Sequence, residues 1–380
     1  MQVIISHESA IEFWLTWGDI YPGVPCSVPR GYRLQLSAAE IPGLALTMPL
    51  HVLIAGQEQR RSDPLRCHIL EKLPPKSLRQ VGNGIYVVCP ELAFMQLAAA
   101  SARDERELIV RGTQLCSQYS LDSTKENGLR PHAPHSSTKA IADFAAANPG
   151  LRGAHRAFQL GKRLLDGSRS PMEGKLGLTM GLPHRLGGYS EADFEMNGIV
   201  QLSNKGEAML RRPSCECDLI WRKLGIVLEY DSDQHHSRQP DLKRDTRRRE
   251  ALRVSGLDVT VVTGDLFNSY TWMDELARRI MKARTGRFRA WPDDFRLRQS
   301  ALRRALLAFD SQRPAELPRK TRGKRVVPAG DLTQNIEISG SMLEAARGLT
   351  QKVEISGSPS DQSTVVYYAL EFKPDEDPLG

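Results

Sequence analysis

Apolar residues follow strand-like spacing in the first third of the chain and helical spacing directly after it. Three short apolar runs, separated by polar turns that contain Pro and Gly, predict strands at 49–54, 66–70 and 84–89. Residues 90–119 begin with Pro and carry apolar residues at helical spacing, with a break near Asp104. Residues 1–48 are poorly periodic, and 120–137 are rich in turn residues. The pattern predicts a small α+β N-terminal domain over 1–125, followed by a linker.

The second part of the chain mixes helical and strand-like segments. Its apolar pattern predicts a helix at 138–165, strands at 215–221 and 224–230, a second helix at 240–255 and a third strand at 257–263. The last two strands are joined by a helix and should lie parallel, whereas Arg222 and Lys223 suit a hairpin between the first two. The intervening region 185–212 is expected to be hairpin-like. We therefore expect an α/β domain over 138–285, followed by a basic helical extension and a partly disordered tail over 286–380.

Composition places mild limits on function. The chain has 380 residues, with 52 Lys and Arg against 45 Asp and Glu, and this net charge of +7 fits a polyanionic partner without requiring one. No window approaches about 18 uninterrupted apolar residues, so no membrane span is expected. The six cysteines include no CxxC pair and are expected to be reduced thiols of a cytoplasmic protein.

Acidic side chains fall on matching faces of the two strands of the predicted hairpin. Glu216 and Asp218 share a face of the first strand, and Glu229 and Asp231 share a face of the second. Pairing as a hairpin would bring Asp218 and Glu229 together near one end. Two carboxylates at that separation form a hard oxygen site that suits Mg²⁺ (or Mn²⁺), with water and a substrate phosphate as the remaining ligands.

Three further residues are candidates for the same site. His235 and His236 follow the second strand, and an imidazole there can act as a general acid or base near neutral pH. Glu173 lies in the sequence SPME, which has the form of a capping box with Pro at the first helical position. Glu173 either only caps its helix or also reaches the metal cluster. Taken singly, each of these residues also fits an ordinary solvated turn or helix end.

A strongly basic helix is predicted directly after the histidines. Its candidate phosphate-binding residues are Lys243, Arg244, Arg247 and Arg248. The three arginines lie on one helical face by their i, i+3, i+4 spacing. A charged helix is most often simply solvated, but beside a phosphodiester site it can hold the phosphates of a nucleic acid.

Taken together, these motifs resemble a known nuclease family. Glu173 in SPMEGKL, Asp218 in CDLIW, the EYD and HH sequences, and KRDTRRREALRVSGLDVTVVTGDLF resemble the very-short-patch-repair type of endonuclease domain over about residues 165–268. That domain belongs to the PD-(D/E)XK, or restriction-endonuclease-like, superfamily. The resemblance implies a mixed sheet flanked by helices, metal binding by Asp218 and Glu229, and a supporting carboxylate at Glu173. The segments HVLI, RCHIL and IYVVCPELAFMQLA more loosely resemble an AbiEi-type antitoxin region.

One position departs from the superfamily pattern. Asp231 stands where the superfamily usually has a lysine, two residues after the second acid. Either His235 and His236 replace that lysine, or the site is catalytically impaired. The sequence therefore leads to the hypothesis of a Mg²⁺-dependent DNA endonuclease, in bacterial defence or a mobile element. The alternative is an inactive, antitoxin-like DNA-binding regulator; RNA as the substrate and a toxin–antitoxin or defence protein as a partner stay open.

Overall fold

A computed structural model of the chain describes residues 1–36, 41, 44–57, 64–69, 72–100, 102–231, 239–288 and 290–310, with the backbone alone for 239–243. Within these residues the strands are β1 Val3–Ile5, β2 Val24–Cys26, β3 Leu50–Ile54, β4 Leu65–Ile69, β5 Leu78–Gly82, β6 Ile85–Val88, β7 Tyr119–Leu121, β8 Leu129–Pro131, β9 Glu195–Gln201, β10 Ser214–Trp221, β11 Ile226–Tyr230 and β12 Asp258–Val262. The helices are α1 His7–Trp17, α2 Pro90–Ala98, α3 Glu105–Leu115, α4 Thr138–Ala147, α5 Ala154–Gly161, α6 Pro171–Gly181, α7 Asn204–Leu210, α8 Gln239–Val254, α9 Gly264–Asn268, α10 Tyr270–Thr285 and α11 Phe295–Leu306.

The N-terminal part contains a six-stranded mixed sheet in the order β2-β5-β6-β1-β3-β4. The three strands predicted there are confirmed as β3, β4 and β6. Strand β1 lies in the centre, parallel to β6 and antiparallel to β3. Helix α1 packs beside it, and the indole nitrogen of Trp14 donates to the carbonyl of Val88 at 2.8 Å. Neither β1 nor α1 was predicted, because the pattern of residues 1–48 is poorly periodic.

The predicted helical break near Asp104 is confirmed. Asp104 is the N-cap of α3, and its side chain accepts a hydrogen bond from the backbone N–H of Arg106 at 2.8 Å. A side-chain cap satisfies a donor that the first helical turn leaves unpaired. The segment predicted as a linker instead contains the β7–β8 hairpin, and Arg130 within it donates to Asp19 at 2.9 Å. This segment is therefore anchored to the N-terminal part by an ion pair.

The second sheet has four strands in the order β12-β11-β10-β9. As expected, β10 and β11 are antiparallel, and β12 runs parallel to β11. The region 185–212 contains β9, which pairs with β10, and α7, so the hairpin expected there is wrong. The helix predicted over 138–165 is divided into α4 and α5 by a turn. The observed fold is thus mixed α/β, with mixed sheets, as the sequence predicted at this coarse level.

The four-stranded sheet is covered on both faces. Leu219 and Leu228 belong to the main hydrophobic core, together with apolar residues of α6 and α10. Val227 and Val259 instead pack with Leu252 of α8 in a smaller second cluster. The sheet therefore separates α8 from the main core, and α8 covers the face that Val227 presents.

Helix α11 joins the N-terminal part to the rest of the core. The side-chain amide of Gln114 in α3 donates to the carbonyl of Ala308 at 3.0 Å. Phe309 is fully buried beside α6. All the described residues belong to one structural unit. The sequence-based domain boundaries stay a prediction, and the tail expected beyond residue 310 lies outside the described residues. Among the described helices, none is long and apolar enough to cross a membrane.

Candidate active site

The β10–β11 hairpin positions the two candidate metal ligands. The antiparallel ladder ends at the pair of Leu219 and Leu228, and Asp218 and Glu229 are the residues that follow directly at that end. Gly225 closes the turn with a φ of 63°, in the left-handed region that favours glycine. The hairpin thus places the two carboxylates on neighbouring strands at matched positions, as the sequence predicted.

Asp218 is partly buried among other charged groups. Its Oδ2 accepts a hydrogen bond from the backbone N–H of Tyr230 at 2.8 Å. Burial, followed by the negative charge of Glu173, raises the pKa of Asp218 to about 6, although the Tyr230 N–H and Arg248 act in the opposite direction. The ionised form of this carboxyl is therefore less favoured than that of a free aspartate, and a nearby cation would stabilise it.

Glu229 is 5 % exposed and forms a bidentate ion pair with Arg248. The two guanidinium nitrogens lie 2.7 and 3.0 Å from the carboxylate oxygens, and one of them also donates to the carbonyl of Glu216 at 2.5 Å. Burial and the charge of Asp218 raise the pKa of Glu229, and Arg248 limits that rise. Burial alone would lower the pKa of the Arg248 guanidinium, but the charge and the hydrogen bonds of Glu229 act in the opposite direction, and the pKa is raised. Arg248 is thus the cation that balances Glu229 in this structure.

Glu173 connects α6 to the four-stranded sheet. The hydroxyl of Ser170 caps α6 by accepting from the N–H of Glu173 at 3.2 Å, as the SPME sequence predicted. The carboxylate does not return the bond to Ser170. It accepts instead from the N–H of Arg169 at 2.9 Å and from the side-chain amide of Asn197 at 2.8 Å. Glu173 is therefore more than a helix cap, because it contacts β9 and its charge acts on Asp218.

The alternation of side chains along β10 breaks at Asp218. Residues two apart on a strand normally share a face, yet Cys217 packs in the smaller cluster beneath α8 while Leu219 packs in the main core. Opposite this point in β9, Asn197 has a left-handed φ of 50°. Such irregularities change the direction in which side chains project from a sheet. The position explains how Asp218 interacts both with Glu173 of α6 and with the strand that carries Glu229.

Asp231, which occupies the usual lysine position, is ion-paired with Arg249. Its backbone N–H donates to the carbonyl of Val262 at 3.0 Å, which continues the ladder between β11 and β12. Two consecutive arginines of α8, Arg248 and Arg249, therefore pair with two acidic residues at the end of β11. The cluster is balanced by the protein's own cations, which the sequence pattern did not predict.

The other candidate nucleic-acid-binding residues divide into two groups. Arg244 and Arg247 are exposed on α8, whereas Arg248 turns inward to the sheet. Arg248 is thus engaged by Glu229 rather than exposed with the other two arginines, and phosphate binding by the three stays a prediction. His235 and His236, and the side chain of Lys243, lie outside the described residues.

A second group of potential metal ligands lies in the N-terminal part, and the sequence analysis did not single it out. His7, His51 and His68 each offer a nitrogen, and the three nitrogens lie within 4.8 Å of one another. Among the described residues this is the only group of three His, Cys, Asp or Glu ligands that meets this distance. The carboxylates of the candidate active site are therefore more widely spaced than three ligands of one bound ion.

No family model, characterised protein or solved structure with which the chain was compared matches it. The resemblance to very-short-patch-repair-type endonucleases therefore stays a prediction from the motifs of the chain.

Proposed function

We propose that the chain is a metal-dependent endonuclease that hydrolyses DNA phosphodiester bonds, with Mg²⁺ or Mn²⁺ bound by Asp218 and Glu229. One observation carries the proposal: carboxylates from α6, β10 and β11 gather around one end of the mixed sheet. They occur in the order Glu173, Asp218, Glu229 that the resemblance implies. A divalent cation would offset the burial and the repulsion from Glu173 that together raise the pKa of Asp218.

The sheet topology agrees with the restriction-endonuclease-like fold that the resemblance implies. The order of elements is α6, β9, β10, β11, α8 and β12, with an antiparallel three-stranded meander followed by a parallel fourth strand. Helices lie on both faces of this sheet. The proposed active site lies at the end of β11, between α6 and α8.

Each residue of the proposed site would have a separate role in phosphodiester hydrolysis. Glu173 is held by two N–H donors and supports Asp218 from the side of α6. Arg248 must release Glu229 before that carboxylate can bind a cation, and the freed guanidinium would then be available to a phosphate. A bound divalent cation would supply Lewis-acid activation of the phosphate and of the attacking water. His235 or His236 is proposed to transfer a proton, and the exposed Arg244 and Arg247 to hold the DNA backbone.

A specific observation favours the second candidate function, a non-catalytic DNA-binding regulator. Arg248 and Arg249 already pair with Glu229 and Asp231. If these ion pairs persist when DNA is bound, the carboxylates cannot hold a catalytic cation. The exposed arginines of α8 would still give salt-sensitive DNA binding. A toxin–antitoxin or defence protein is the proposed partner in that case.

Cleavage of supercoiled plasmid, with and without Mg²⁺ or Mn²⁺, tests the proposed nuclease function. We expect metal-dependent nicking by the wild type that is lost in the near-isosteric variants Asp218→Asn and Glu229→Gln. The matched control is Glu250→Gln, which removes an exposed carboxylate of α8 and should cleave like the wild type. Cleavage by both site variants at the wild-type rate would refute the proposed metal ligands.

Binding measurements at several salt concentrations separate the two candidate functions. Salt-sensitive binding of DNA without cleavage under any of these conditions would favour the regulator. Repeating both assays with single-stranded RNA of the same sequence identifies the nucleic acid, because the phosphate contacts proposed for Arg244 and Arg247 do not distinguish DNA from RNA.

A further inference from the structure

The three histidines of the N-terminal part come from three different elements. His7 is the first residue of α1, His51 lies in β3, and His68 lies in the parallel neighbour β4. All three are half-buried, and one nitrogen of each lies within 4.8 Å of the other two. Nδ1 of His51 lies 3.0 Å from Nε2 of His68, and the rings of His7 and His68 stack with centroids 3.5 Å apart. This is close to the spacing that ligands of one small cation require.

Hydrogen bonds outside the trio hold two of the imidazoles in place. The Oγ of Ser6 lies 3.0 Å from Nδ1 of His7, which leaves Nε2 of His7 for another partner. The carboxylate of Glu8 lies 3.0 Å from Nδ1 of His51, the nitrogen that also faces His68, and Glu8 is in turn held by Arg103. Histidines that bind metals usually have an oxygen partner on their other nitrogen, as His7 has in Ser6, and the Glu8 carboxylate adds a negative charge that favours a cation beside His51.

The backbone of His7 supports a functional role for this position. Its φ of 51° lies in the left-handed region, which is unfavourable for a residue with a side chain. The N–H of His7 donates to the side-chain oxygen of Gln96 at 3.0 Å, which holds the residue in that conformation. Strained residues of this kind are concentrated at ligand-binding positions. His7, in this strained conformation, is the first residue of α1, and its imidazole stacks on His68.

A cavity of about 430 Å³ adjoins the trio. His7 and His68 form part of its wall, with Arg152 as a cationic residue and apolar side chains such as Met95 and Leu92 elsewhere. An ion held by the three imidazoles could therefore keep a coordination position that faces this cavity. Three protein ligands and one exchangeable position are typical of catalytic rather than structural zinc sites.

We propose that His7, His51 and His68 form a binding site for Zn²⁺, with a fourth, exchangeable position occupied by water on the side of the cavity. Imidazole nitrogens suit Zn²⁺ and related transition metals, whereas Mg²⁺ prefers oxygen ligands. The site is therefore chemically distinct from the carboxylate cluster around Asp218. Its existence does not depend on whether that cluster cleaves DNA.

Competition of the metal-free, full-length protein with a chromogenic chelator for Zn²⁺ tests this proposal. We expect the wild type to bind one Zn²⁺ equivalent that is lost, or weakened at least 100-fold, in His51→Gln and His68→Gln. His155→Gln is the matched control, because His155 is exposed on α5 and should leave that equivalent unchanged. Glu8→Gln should weaken the same equivalent by about 10- to 100-fold, as loss of an outer partner does.

Replacement of Zn²⁺ by Co²⁺ gives a second measurement on the folded wild type. A four-coordinate site with three imidazole nitrogens and one water gives intense visible absorption bands, which should be present in the wild type and in His155→Gln and absent in His68→Gln. Circular dichroism of each metal-free variant shows whether it is folded. The proposal is overturned if the folded wild type binds no Zn²⁺ equivalent, or if both trio variants retain wild-type affinity. Neither outcome bears on plasmid cleavage, so the two proposals succeed or fail separately.

Discussion

Arg248 occupies both carboxylate oxygens of Glu229, at 2.7 and 3.0 Å, from the helix that is expected to face DNA. The same guanidinium reaches the carbonyl of Glu216 and is thereby attached to both strands of the hairpin. A divalent cation and Arg248 would thus compete for one carboxylate. Under the proposed function, the exchange between them would distinguish an active nuclease from a regulator that only binds DNA.

The ion pair of Arg248 and Glu229 should be strongly coupled. Arg248→Met leaves Glu229 as an unpaired buried carboxylate, and we expect it to lower the free energy of unfolding by about 3 kcal/mol at neutral pH. The double variant Arg248→Met/Glu229→Gln should recover most of this loss, because the uncompensated charge is gone. Urea denaturation of the four proteins of this double-mutant cycle measures the coupling. Simply additive effects of the two substitutions would contradict the described pair.

Asp218 should make the stability of the metal-free protein depend on pH. Its pKa is raised from 3.8 to about 6 in the folded chain, so the fold favours the protonated form. That contribution is complete below about pH 4 and is lost as the pH rises through about 6, at a cost of about 3 kcal/mol. Asp218→Asn should therefore gain stability relative to the wild type between pH 4 and pH 7.

Thermal denaturation at several pH values checks this prediction, with Glu250→Gln as the exposed control on α8. The difference between the wild type and Asp218→Asn should increase with pH, and that for the control should stay nearly constant. If Asp218 binds a cation, Mg²⁺ should reduce the wild type's loss at pH 7. A difference that does not change with pH would mean that the carboxyl titrates normally.

Asn197 should contribute through both its backbone and its side chain. Its amide donates to the carbonyl of Gly167 at 3.0 Å and to Glu173 at 2.8 Å, while its φ of 50° disfavours most residues with a side chain. Asn197→Gly removes only the hydrogen bonds and should cost about 1 kcal/mol. Asn197→Ala adds the left-handed strain and should cost about 1 kcal/mol more. Chemical denaturation ranks the three proteins, and an alanine variant as stable as the glycine variant would argue against the described backbone.

The contact between α6 and Phe309 should allow no added methyl group. A Cβ at position 174 would lie 2.8 and 2.9 Å from two ring carbons of Phe309, so we expect Gly174→Ala to cost about 1–3 kcal/mol. Phe309→Leu should partly suppress this cost, because the shorter leucine side chain no longer clashes with the added methyl group. Gly150→Ala is the control, since nothing lies within 4 Å of its added Cβ. Equal melting temperatures for Gly174→Ala and Gly150→Ala would contradict the packing of residue 309 on α6.

Local patterns predicted most elements of the fold, and the exceptions have physical causes. Helix α1 escaped prediction because its residues Ser9–Leu15 are all buried, so it lacks the polar face that produces a helical period. The helical break at Asp104 was predictable because a capping residue acts within one turn. The β7–β8 hairpin was missed because its turn-rich sequence also fits a linker, and its anchor Asp19 is 111 residues from Arg130.

The candidate active site was predictable where it depends on strand alternation alone. The relation of Asp218 to Glu229 follows from the hairpin register, whereas the partner of Arg248 depends on how α8 is rotated against the sheet. The irregularity opposite Asn197 is a backbone conformation that no simple pattern encodes. The three histidines lie in separate elements and meet only through the sheet topology. Their one local signal is that β3 and β4 each carry a histidine within a short apolar strand.

The hydrogen bond from Gln114 to Ala308 joins residues that are 194 positions apart. On the ribosome, α3 therefore emerges long before the segment that covers it has been translated. Until then the buried face of α3 is open to water, chaperones or neighbouring nascent chains. The N-terminal sheet can form early from its own strands, but the unit that contains both sheets closes only after α11 has been made. The core is therefore completed only after the residues of the candidate active site have been translated.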